Sequence, residues 1–283
     1  MDIKKLDGIK VYIIESLRSG NDSDKRTGED LKDTLRQMCV DKGISFSEFD
    51  YQYFPINDKL NFKETLDSIK IEVENNNKQP IIQLECHGYK NGTGFALSSG
   101  EKVTWKDFFD CLRVINIASS NLLLLNLSMC FGDTVVGYID PSKRAPFRGV
   151  TCTKGKTYPG DIEKSWNHFY DNLANSFAAY GYSKLAQESN LLYVPQDFIF
   201  DWHFDLANQD PEIFNNLRNR ELADMTKTEK HLAIDSKLYK KWVEQKQKEI
   251  KERYRSFFCF DDLKPLHESV YKSVSYAYSN TKC

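Results

Sequence analysis

The run Leu122-Leu123-Leu124-Leu125-Asn126-Leu127-Ser128-Met129 constrains this chain more than any other stretch. It is nearly all apolar, as expected for a strand covered on both faces, and such strands lie inside parallel sheets with helices above and below. From residue 9 onward the sequence shows the matching alternation of short apolar runs and amphipathic segments. Residues 9–14 read as a first strand, 44–54 as a second and 80–88 as a third that ends in His87-Gly88. Residues 122–129 are the fourth, 149–152 the fifth and 191–194 the sixth, closed by Pro195. The spacing predicts helices over 27–42, 60–73, 104–118 and 162–180 between them. Residues 94–97 and 102–103 read as a hairpin turning on Gly100.

Composition narrows the class. Hydrophobic residues at 40% and charged residues at 28% are ordinary for a globular domain with a real core. A net charge of -2 speaks against a nucleic-acid binder, which normally carries a basic excess. No apolar run approaches the roughly 18 residues of a membrane span, and MDIKKLDGIK lacks the apolar segment of a secretory signal. The expectation is a cytoplasmic protein with no nucleic-acid or membrane partner.

Seven cysteines are scattered, odd in number and without a CxxC pair, so neither a disulfide framework nor a structural zinc site is expected. Cys39, Cys86, Cys111 and Cys152 sit in apolar surroundings, where a free thiol packs as a small hydrophobe. Reduced thiols keep a thiolate nucleophile available.

After Pro195 the character changes. Residues 211–279 read as three helical segments, the middle one, 227–255, dense in Lys and Glu. The division is a core over 1–195 and a helical extension over 196–283. The charge run reads first as a solvated helix face, with a docking surface for a regulatory or activating partner as the competing reading.

In an open parallel sheet, ligands bind at the carboxyl ends of the strands. Two neighbouring strands here end at His87 and at Cys130, each followed closely by glycine. A cysteine nucleophile needs a nearby base or cation to hold it as thiolate, and histidine is the usual one. The amides of Gly88 and Cys130 are placed to hold an oxyanion. Cys86 is the rival nucleophile, but alternation along the strand points it away from His87 and into a helix layer. Cys152 ranks second, since it also ends a strand but lacks a glycine-rich turn.

The stretch PIIQLECHG at 80–88, followed by GFAL at 94–97 and VTWKDFF at 103–109, resembles caspases from the catalytic His-Gly to the next helix. Leu127-Ser128-Met129-Cys130-Phe131-Gly132 resembles the caspase nucleophile strand, and its Ser-x-Cys-x-Gly spacing is also similar to CHAT-type members of that superfamily. Arg26-Thr27-Gly28-Glu29-Asp30 resembles the Arg-x-Gly-x-Asp that opens the first caspase helix. The resemblance covers about residues 9–194 in unbroken element order.

It implies a caspase-like α/β/α sandwich with a mostly parallel central sheet, and a cysteine endopeptidase acting on protein substrates with no metal or cofactor. Cys130 would attack the scissile carbonyl, His87 would protonate the leaving amine, and Gly88 and Cys130 would hold the oxyanion. Arg26 matches the caspase arginine that binds an acidic side chain before the cut; its plain alternative is a surface residue near a helix start. Ser128 stands where caspases place glutamine and basic-specific relatives place aspartate. The loop from Thr153 to Pro159 carries no arginine matching the second specificity arginine, so Lys154 or Lys156 would serve an acidic substrate side chain and Asp161 a basic one. Residues 138–148 occupy the place of the caspase linker and read as a short surface loop, with self-cleavage there as the minority reading. A single unit of this kind is similar to microbial members used in defence and regulated cell death. The alternative is a catalytically silent caspase-fold scaffold that binds a partner through its helical tail.

Overall fold

The apolar runs converge on one central sheet. The computed structural model describes residues 8–18, 25–140, 143–176, 182–196 and 198–199, with Lys241, Gln245 and Phe257. In chain order the elements are β1 (Ile9–Glu15), α1 (Thr27–Lys42), β2 (Phe49–Pro55), α2 (Lys59–Asn75) and β3 (Gln79–Glu85). There follow β4 (His87–Gly88), β5 (Gly94–Ala96), β6 (Lys102–Thr104), α3 (Trp105–Ala118) and β7 (Leu124–Ser128). A 3-10 helix (Gly132–Tyr138), β8 (Gly149–Cys152), α4 (Pro159–Ser176), α5 (Tyr182–Glu188) and β9 (Leu192–Pro195) complete the series.

The six-stranded sheet has the order β2-β1-β3-β7-β8-β9. All its pairings are parallel except β8 with β9, which is antiparallel. The chain starts in β1, steps outward to β2, then crosses to the other side of β1 for β3. That reversal falls between β1 and β3, and α/β sheets bind ligands at the carboxyl ends of strands at such a point. One apolar layer, with Leu31, Leu35, Trp166 and Phe169, packs α1, α4 and α5 on one face. The other, with Phe62, Leu66, Phe108 and Leu112, packs α2 and α3 on the opposite face. The molecule is therefore mixed α/β, with helices on both sides of a mostly parallel sheet. Among the described residues no helix is long and apolar enough to cross a membrane.

Local chemistry explains the boundaries. Asp58 caps α2 by accepting from the Asn61 amide at 2.8 Å, and Thr104 caps α3 by accepting from Asp107 at 3.2 Å. Gly43, with φ 62°, closes α1 in the left-handed conformation. The second strand begins at Phe49 rather than 44, because a turn intervenes in which Ser45 Oγ donates to Glu48 at 2.7 Å and the Phe49 amide to the Ser45 carbonyl at 3.0 Å. The fourth helix starts earlier than expected, at Pro159, and α5 and the 3-10 helix were not expected at all. The expected hairpin is present, but β4 joins it as a third strand.

The helical extension expected over 196–283 lies outside the described residues apart from a few positions. Of these, Ile199 and Phe257 are buried in the α3 layer, and the Phe257 carbonyl accepts from the Ala145 amide at 2.6 Å. Ala145, Pro146 and Phe147 are buried, so this part of the linker region is core rather than exposed loop.

Candidate active site

β3 leaves the sheet at Glu85. The next residue, Cys86, turns into the α2–α3 layer, as strand alternation requires, and the chain then swings out as β4 to pair with β5. This exit carries His87 to the surface, where it is exposed. β7 ends at Ser128, and Cys130 follows two residues later, half-buried.

The two strand ends meet through their backbones. A Cβ on Gly88 would overlap the carbonyl oxygen of Cys130 and come to 3.5 Å from Met129 Cγ, so residue 88 has no room for a side chain. Glycine is required there by close approach, not by φ. At residue 132 a Cβ would meet the Cβ atoms of Cys152 and Leu127 at 3.2 and 3.3 Å, so the second glycine lets the 3-10 helix pack down on β7 and β8. Between them Phe131 adopts φ 59°, the left-handed region, and its amide donates to the Gly155 carbonyl at 2.6 Å. A non-glycine residue in that conformation marks stored strain beside the thiol.

The segment 153–158 after β8 arches over this turn. Thr153 Oγ1 donates to the Met129 carbonyl, and the Gly155 amide to Asp133 Oδ1 at 3.3 Å. The Cys130 thiol donates to the Thr157 carbonyl at 3.4 Å.

The rival thiols differ in kind. Cys86 is 3% exposed and Cys152 0%. Burial lifts the Cys86 thiol well above its usual range and the Cys152 thiol to about 12. Cys39 and Cys111 are also shifted up by burial. Thiols that hold their proton are poor nucleophiles. Cys130 alone among the five described cysteines combines a strand end, a glycine turn and partial exposure.

One level deeper lies a row of polar side chains on three paired strands. Glu15 pairs with Glu85, and Glu85 with Ser128. Glu15 is held by three donors: Arg26 Nε at 2.6 Å, Tyr53 OH at 2.6 Å and the Gly28 amide at 2.7 Å. Arg26 also donates to Tyr53 OH. The carboxylate thereby caps α1, whose own N-cap residue offers no side-chain bond, and sits at the positive end of the helix dipole. Glu85 accepts from Thr27 Oγ1 at 2.6 Å and Gln83 Nε2 at 2.7 Å. Gln83 Oε1 in turn accepts from Tyr170 OH, which accepts from Asn126, both at 2.9 Å. Burial lifts the Glu85 carboxyl to about 7, opposed by the Ser128, Thr27 and Gln83 side chains. Ser128 Oγ is buried without a hydrogen bond of normal geometry, although it lies close enough to Glu85 to favour the ionised form.

No family model matches this chain, and no curated protein matches it significantly.

The residues singled out in the sequence are distributed unevenly. The structure brings Gly88, Cys130 and Ser128 together, with His87 adjoining through its peptide link to Gly88. Arg26 is engaged by Glu15 and Tyr53. Lys154 is exposed in the arching segment, its carbonyl accepting from Thr157 Oγ1 at 3.4 Å. Lys156 is exposed over the Tyr158 ring, and Asp161 is exposed in the first turn of α4. Glu15, Thr27, Tyr53 and Glu85 were missed. The available signal was a glutamate inside an apolar strand, since a charge on a strand covered on both faces needs a reason. Among the described residues no group of three His, Cys, Asp or Glu side chains is placed to hold a metal ion.

Proposed function

We propose that this chain is a cysteine endopeptidase of the caspase-like superfamily, with Cys130 as nucleophile and His87 as its acid–base partner. The observation that carries the reading is the backbone contact of Gly88 with Cys130 at the ends of β4 and β7. It supports the reading because it joins the residue after a histidine to a partly exposed cysteine, with two candidate oxyanion donors, at the carboxyl end of the sheet where α/β folds do chemistry.

In this scheme the Cys130 thiolate attacks the scissile carbonyl carbon. The oxyanion that forms is held by the amides of Gly88 and Cys130. His87 donates a proton to the leaving amine, the C–N bond breaks and a thioester remains. His87 then takes a proton from water, whose oxygen attacks the thioester and releases the acid and Cys130. The Thr157 carbonyl occupies the thiol in the present arrangement, so substrate binding displaces that contact.

A caspase-like fold for the central sheet, a protein substrate, a cytoplasmic setting and a role in microbial defence or regulated cell death belong to the same proposal and rest on the sequence resemblance. The helical extension is proposed as the site for a regulatory or activating partner. A catalytically silent scaffold is the second reading, favoured by the Thr157 contact over the thiol. An electrophilic peptide probe separates the two. Covalent labelling that is lost in Cys130→Ala and slowed in His87→Ala supports the enzyme; absence of labelling with intact protein supports the scaffold.

A further inference from the structure

Buried carboxylates normally face a cation or a metal, because an ion removed from water is costly on its own. Glu15 obeys this rule through Arg26. Glu85 does not. It is 1% exposed, and the groups acting on it are three neutral side chains and the like charge of Glu15. Among the described residues no cation faces it, and its carboxyl is raised to about 7 accordingly. Beside it Ser128, 4% exposed, holds a hydroxyl that lies near this carboxyl but makes no hydrogen bond of normal geometry. An unpaired buried carboxylate and a buried hydroxyl therefore adjoin, on paired positions of β3 and β7.

Their place in the fold gives this vacancy of charge a direction. Glu85 precedes His87 by two residues and Ser128 precedes Cys130 by two. Glu85 ends β3 and Ser128 ends β7, so the pair lies at the carboxyl ends of the two strands whose continuations carry His87 and Cys130. The strand order reverses between β1 and β3, and in α/β sheets ligands bind at the carboxyl ends of the strands flanking such a reversal. A substrate residue bonded to the carbonyl under attack would extend its side chain down toward this pair.

We propose that Glu85, assisted by Ser128, is the specificity determinant of the site and selects a lysine or arginine side chain on the residue before the cut. This inference rests on the peptidase reading above. Lysine carries its ammonium on a flexible four-carbon stem, and that ammonium has three donors. One meets a Glu85 oxygen, which retains a free lone pair beside its Thr27 or Gln83 bond; another meets Ser128 Oγ. The charge that Glu85 lacks is then supplied by the substrate, in a site closed to water where the attraction is strongest. Arg26 is not a competitor for an acidic side chain, since its Nε and Nη2 are engaged by Glu15 and Tyr53.

The test uses the full chain and three peptidyl acyloxymethyl ketones that differ only in the residue next to the warhead: lysine, leucine or aspartate. The rate of Cys130 modification is followed by mass spectrometry. Wild type is expected to react with the lysine probe at least tenfold faster than with the other two. Glu85→Gln is expected to lower the lysine-to-leucine ratio at least tenfold, and Ser128→Asp, which adds a carboxylate, to raise it. Equal rates, or preference for the aspartate or leucine probe, would overturn the inference while leaving a cysteine peptidase in place. No modification of Cys130 by any probe would remove the peptidase reading and this inference with it. The wild-type ratio decides the matter even where a variant does not fold.

Discussion

The α-carbon of Gly88 packs directly on the carbonyl oxygen of Cys130, with no space between them for a methyl group. This contact couples the short strand after β3 to the turn after β7. Gly88→Ala would push the two strand ends apart. Overpacking of this kind costs about 1–3 kcal/mol, visible in a urea melt. A displacement near 1 Å at a reacting pair costs on the order of a hundredfold in rate, so probe labelling of Cys130 is expected to fall further than the stability loss explains.

Exposure and burial sort the thiols by reactivity. With iodoacetamide in native buffer, Cys130 is expected to be alkylated well before Cys86 and Cys152, which are enclosed and held in the protonated form. Peptide mapping after timed quenching checks this. Early alkylation at Cys86 or Cys152 would remove the basis for choosing Cys130.

Among the described residues Arg26 is the only cation bonded to Glu15, and that carboxylate is 1% exposed. Arg26→Ala leaves it with neutral donors alone, and a buried charge stripped of its partner costs about 3 kcal/mol. The variant is expected to melt earlier yet to keep the residue preference of wild type in a peptide library. A changed preference would show that Arg26 reaches the substrate.

Glu85 makes stability depend on pH with a definite sign. Its carboxyl rises from the ordinary 4.5 to about 7 on folding, chiefly by burial. Between those values the folded chain holds a proton that the unfolded chain has released, so rising pH across that window destabilises the fold. The full effect is about 3 kcal/mol, present above pH 7 and absent below pH 4.5. Glu85→Gln has no such titration. In urea melts the variant should therefore gain on wild type by about that amount between pH 4.5 and 8. A constant difference would mean that Glu85 keeps one charge state throughout.

Much of the architecture was legible from residue patterns, because strand and helix periodicity is local. The apolar run before Cys130 announced a strand covered on both faces, and alternation alone turned Cys86 away from His87. The starts and ends of elements were less legible: a Ser45–Glu48 turn delays β2 to Phe49, and nothing in the pattern foretold α5 or the 3-10 helix. The exit of β4 from the main sheet was also hidden, since it depends on pairing with β5 rather than on the two residues it contains.

The sequence by itself determined the order of strands and helices along the chain, the sheet's mostly parallel character, and that His87 and Cys130 follow neighbouring strands, although β3 stops at Glu85 and β7 at Ser128. Only the tertiary structure decided that Glu15, Glu85 and Ser128 share one row, that Arg26 answers Glu15 and not Glu85, and that Thr157 lies over the thiol. The reason is register. Residues 15, 85 and 128 meet because packing of the helix layers sets how far each strand slides against the next, and a one-residue slip would turn every one of them to the other face.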